Sequence, residues 1–164
     1  MPVRQIVFAL VTFLHNLCTA VWIGGLITLG ITVLPSARKV LGAGPQTKEV
    51  MDTIQRRLSV LVYISIAVLA LTGLLIANRS PAFQGLFTFG NAYSTVLTLK
   101  HILVLVMIIV ALWRSLVLGR WSRPSKQGRE KLKAGLLFFN IILGIMVLLL
   151  SGFSAALSAG PPPA

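Results

Sequence analysis

Residues 13–25 read FLHNLCTAVWIGG and set His15, Asn16 and Cys18 inside an almost unbroken apolar run. The chain's other histidine, His101, follows Lys100 in a second apolar run. A polar side chain in such surroundings carries a desolvation cost, so it needs a partner or a ligand. Neutral imidazole ligates copper and haem iron alike, with its other ring nitrogen held by a neighbouring acceptor. A copper site would draw on soft donors. The set at hand is His15, His101, Cys18 and a methionine such as Met107 or Met146. A haem b would take His15 and His101 as axial ligands from two helices. Gly24 would then leave room for the ring, and Arg and Lys near the membrane edge could pair with its propionates.

Helical spacing aligns Thr12, His15, Cys18 or Thr19, and Trp22 on one face, predicted to look away from lipid. Ala20 and Gly24 form a small-xxx-small pair that lets another helix come close. Lys100 and His101 are adjacent and point about 100° apart, and Lys100 can reach outward on its long stem. Each residue also has a plainer use. An intramembrane histidine can simply hydrogen-bond a carbonyl on a neighbouring helix, and Asn140 suits the same purpose. A lone cysteine packs as a small hydrophobe, and methionines fill cores. Arg56, Arg57 and Arg114 read as membrane-edge charges.

These side chains need elements to position them. Of the 164 residues, 56% are hydrophobic and 11% charged. A soluble domain carries roughly a quarter charged residues, so the composition is that of a membrane protein. Four apolar segments, 6–34, 58–77, 95–118 and 134–157, each reach the roughly 20 residues that a spanning helix needs. Pro35 is predicted to end the first. That first run exceeds the roughly 7–15 apolar residues of a signal peptide and is expected to be a permanent span. A single cysteine excludes an internal disulfide and a multi-cysteine zinc site. The connections are too short to hold a core of their own. The expected fold is therefore all-α: one four-helix transmembrane bundle filling residues 1–164.

The formal charge of +12 is distributed unevenly. Residues 36–57 carry Arg38, Lys39, Lys48, Arg56 and Arg57; residues 114–133 carry Arg114, Arg120, Arg123, Lys126, Arg129, Lys131 and Lys133. Residues 78–94 carry only Arg79, and 158–164 no charge at all. Basic residues collect on the cytoplasmic side of spans, so both termini and the second connection are expected to face outward. The charge is accounted for by topology and by contact with anionic lipid headgroups, and no nucleic-acid motif accompanies it. Trp113 and Trp121 suit an interfacial belt. On this topology His15 lies about 14 Å and His101 about 9 Å along their spans from the outer side, at 1.5 Å per residue. The proline-rich end, SAGPPPA, reads as an extended terminus.

The order of short motifs resembles the copper-resistance protein D (CopD) family of membrane proteins. His15 followed by Ala20-Val21-Trp22-Ile23-Gly24-Gly25 and Leu34-Pro35 is similar to that family's first span. Arg57-Leu58-Ser59, Leu71-Thr72-Gly73-Leu74, Tyr93, Leu97-x-x-Lys100 and Ala111-Leu112-Trp113-Arg114 follow as its next landmarks, with Gly144 and Pro161-Pro162 closing the chain. The resemblance implies copper tolerance or uptake at the inner membrane, with His15 central. Many such proteins have about eight spans and a glutamate in the last helix, where this chain has four and Asn140. A second resemblance is to the four-span HemJ-type protoporphyrinogen oxidases. It rests on the span-one histidine, the Trp and Gly after it, the proline, Arg56-Arg57-Leu58 and Lys100. It implies a b-type haem serving electron transfer or porphyrin oxidation, the latter with Lys100 and His15 near the macrocycle. Whether the chain is an enzyme stays open. A third reading is an accessory subunit packing against membrane-protein partners or further copies of itself through its small-residue faces.

Overall fold

A computed structural model describes residues 2–80, 83–120 and 126–159. Trp121, Arg123 and Pro161-Pro162, all used in the sequence reading, lie outside the described residues. Within them the protein is all-helical, with no strand and four helices long and apolar enough to cross a membrane. These are α1 (Val3–Leu41), α2 (Pro45–Ala77), α3 (Ala92–Arg120) and α4 (Lys126–Ala159).

Pro35 does not end α1, which runs on to Leu41. A proline inside a helix lacks one backbone donor and crowds the carbonyl four residues earlier. Here the turn before it, Thr28–Val33, is a wide π-helical one, which relieves that crowding. A second π-helical turn, Ala20–Gly24, contains Trp22. The helix stops at Gly42, whose φ of 74° suits a residue without a Cβ. The second helix also exceeds its apolar stretch. It starts at Pro45, favoured in a first turn because its missing N–H would have no helical partner, and nothing breaks it before Leu58. Hydropathy marks the depth of the membrane; caps and breakers mark the ends of helices.

Two compact units divide the chain, Met1–Arg79 and Ser80–Ala164. In the first, α1 packs on α2. A Cβ built on Gly25 would lie 2.8 Å from Leu58 Cδ1, so the close approach of these helices uses Gly25. The predicted small residue Gly24 would meet nothing within 4 Å.

In the second unit, α3 packs on α4. The connection before α3 is tied to its first turns. Asn91 Oδ1 accepts the Ser94 N–H at 2.7 Å, as an N-capping side chain does. Ser94 Oγ accepts the Gln84 N–H, and the Thr98 hydroxyl lies 3.0 Å from Thr88 O and 3.3 Å from Leu86 O. Asn140 makes the expected interhelical bond, its amide donating to Met107 O at 3.4 Å. Its Oδ1 is buried without a hydrogen-bond partner. Met107 is fully buried, whereas Met146 is 44% exposed and is not core filling.

Side-chain polarity is arranged as lipid requires. The buried polar residues include Ser65, Thr72, Ser94, Thr98 and Asn140, while large apolar side chains such as Leu10, Ile64, Ile109 and Phe153 are exposed. Apolar surface on this scale has a suitable solvent in acyl chains.

Candidate functional site: a histidine held by a threonine

On α1 the residues from His15 inward turn away from the surface. Cys18 and Trp22 are buried and His15 half-buried, while Thr12, assigned to the same face, is exposed. The face therefore begins one turn later than the helical spacing suggested. Cys18 is a free thiol one turn along from the imidazole. Trp22 is 3% exposed, and its indole N–H has no hydrogen-bond partner. A buried unmade hydrogen bond costs about 1–3 kcal/mol.

The partner of His15 comes from the middle of α2. His15 Nδ1 lies 2.9 Å from Thr72 Oγ1, and Thr72 Oγ1 lies 2.7 Å from Val68 O. Proton counting fixes the roles. A carbonyl only accepts, so the single hydroxyl proton of Thr72 goes to Val68 O, and the hydroxyl oxygen accepts from His15 Nδ1–H. The neutral ring then carries its lone pair on Nε2. That is the arrangement in which one nitrogen ligates while the other is oriented by an acceptor. The adjacent Gly73 lies beside the ring: a Cβ there would be 3.4 Å from His15 Cε1, an ordinary van der Waals contact. At the other end of the histidine, the Thr19 hydroxyl donates to the His15 carbonyl at 2.9 Å.

Lys100 and His101 belong to α3, in the second unit, and both are half-buried. His101 Nδ1 lies 2.7 Å from Leu97 O, one turn back. It must donate there, so its lone pair also falls on Nε2. His101 thus takes its orienting acceptor from its own helix, whereas His15 takes it from the facing one. Among the described residues no group of three or more His, Cys, Asp or Glu side chains is placed to hold a metal ion.

Thr72, which hydrogen-bonds His15, is the side chain the sequence reading did not single out, having placed it only within a motif. Its signal was a hydroxyl in the middle of the apolar 58–77 run, next to a glycine.

Residues 52–157 match the family model described as Copper resistance protein D. The matched stretch includes Thr72, Lys100, His101 and Asn140 and begins after α1 and His15. No curated protein and no solved structure matches the chain.

Proposed function

Because the chain belongs to the copper-resistance protein D family, we propose that this multi-pass inner-membrane protein binds copper within the membrane as its cargo, in tolerance or transport, with His15 Nε2 as the central ligand. The observation that supports this reading is the Thr72 hydroxyl spent on Val68 O, which makes His15 Nδ1 the donor and puts the ring's lone pair on Nε2. Copper of either charge accepts imidazole, and Cys18 brings a soft sulfur to the same face of α1. A second imidazole of the same tautomer, His101, belongs to the second unit. The chain's own part is to hold the imidazole in one orientation through the Thr72 hydroxyl.

The purified full-length protein, incubated with copper and desalted, is expected to retain stoichiometric copper by elemental analysis and to show no Soret band. A Soret band without copper retention would replace this reading with the haem one. Neither signal would leave a packing subunit.

On this account the metal is met from the outer side, because the charge distribution puts both termini outward. Cysteine labelling tests the orientation in a Cys18→Ala background. Phe89→Cys is a suitable outer reporter, since Phe89 is 71% exposed and Asn91 is occupied as a cap. An impermeant maleimide added to intact cells is expected to label Phe89→Cys, and Ser125→Cys only after lysis. The reverse pattern would contradict the outer-side access.

A further inference from the structure

A groove of about 510 Å³ lies within the first unit, where α1 begins and α2 ends. Its lining is Gln5, Phe8, Ala9, Thr12, Ile76 and Arg79. The Arg79 guanidinium carbon sits 4.0 Å from the centroid of the Phe8 ring. A guanidinium attracted to an aromatic face is held there while its N–H donors can still grip an oxyanion. Beneath the cation the groove is apolar, with the Thr12 hydroxyl and Gln5 amide as its other polar groups.

Three observations define the occupant. Arg79 is the only basic residue of the 78–94 connection, the side where the charge rule puts few, so topology does not explain it. Among the described residues no carboxylate lines the groove, and the two acids of α2, Glu49 and Asp52, stand toward that helix's other end. The groove also lies at an end of two spans, where a charged headgroup meets acyl chains. We infer that it is a binding site for one anionic phospholipid, with the phosphate on Arg79 and the start of an acyl chain over Phe8, Ala9 and Ile76. The site shares no residue with the copper reading and stands without it.

Native mass spectrometry of the full-length protein in micelles, titrated with phosphatidylglycerol or phosphatidylcholine, reads this directly. The first phosphatidylglycerol is expected to bind about fivefold more tightly than phosphatidylcholine, and Arg79→Gln to remove that preference. Ala9→Trp, which fills the groove and keeps the charge, is expected to give the same loss if Arg79→Gln fails to insert. Wild-type phosphatidylglycerol affinity in either folded variant, or equal binding of the two lipids by the wild type, overturns the assignment. So does displacement of the lipid by an equal concentration of inorganic phosphate, which would make the groove a soluble-anion site.

Discussion

Replacing His15 with alanine is expected to abolish copper retention while leaving the protein inserted and helical. The imidazole supplies the ligating Nε2 of the proposed site. The drop in affinity should exceed the roughly 10–100-fold that loss of an outer-shell partner costs. Insertion depends on the summed hydropathy of the spans, which one imidazole does not set. Local damage should also be slight. Thr72 keeps its bond to Val68 O when the imidazole is removed, so the truncation leaves no buried donor behind. Isothermal titration with a copper chelator as competitor measures the affinity, and far-ultraviolet circular dichroism checks the fold. Full copper occupancy in the variant would reduce His15 to an interhelical hydrogen-bond donor.

The second large effect is expected at Thr72, a positioning residue that touches the metal only through His15. Valine has nearly the same shape and no oxygen, so Thr72→Val leaves Nδ1–H without its acceptor and releases both the ring's orientation and its tautomer. Copper affinity is expected to fall about 10–100-fold, the range found when the partner of a ligating histidine is removed. Stability should change by only about 1 kcal/mol, since one neutral hydrogen bond is lost. Thr72→Ser restores the hydroxyl and should restore the affinity. A merely packing role predicts the opposite order, with valine tolerated and serine, which lacks the methyl, impaired.

The sequence disclosed what depends on composition and local order. Four long apolar runs become four spanning helices, and His15, Cys18 and Trp22 at helical spacing do turn inward together. Helix ends were less legible. Pro35 read as a terminator because local rules do not foresee a π-helical turn at Thr28–Val33 that accommodates it. Pro45 was invisible to a hydropathy reading, since the first third of α2 is polar. Contacts between helices were least legible. That Gly25 rather than Gly24 lies against Leu58, that Met146 stays exposed, and that His15 meets Thr72 across 57 positions all depend on relative rotation of helices, which no local pattern encodes. Arg79 stood out only as an isolated charge until Phe8 was found beneath it.

The central claim is that His15 keeps its proton on Nδ1 and offers Nε2 to copper. Nitrogen-15 magnetic resonance of the full-length protein, histidine-labelled and reconstituted in bilayers, reads both nitrogens, with His15→Ala assigning the signals. The expected spectrum without metal shows a protonated Nδ1 and an unprotonated Nε2 for residue 15, and Cu(I) should then shift the Nε2 signal while Nδ1 stays protonated. A protonated Nε2 without metal, or a Cu(I) response confined to Nδ1, would contradict the account.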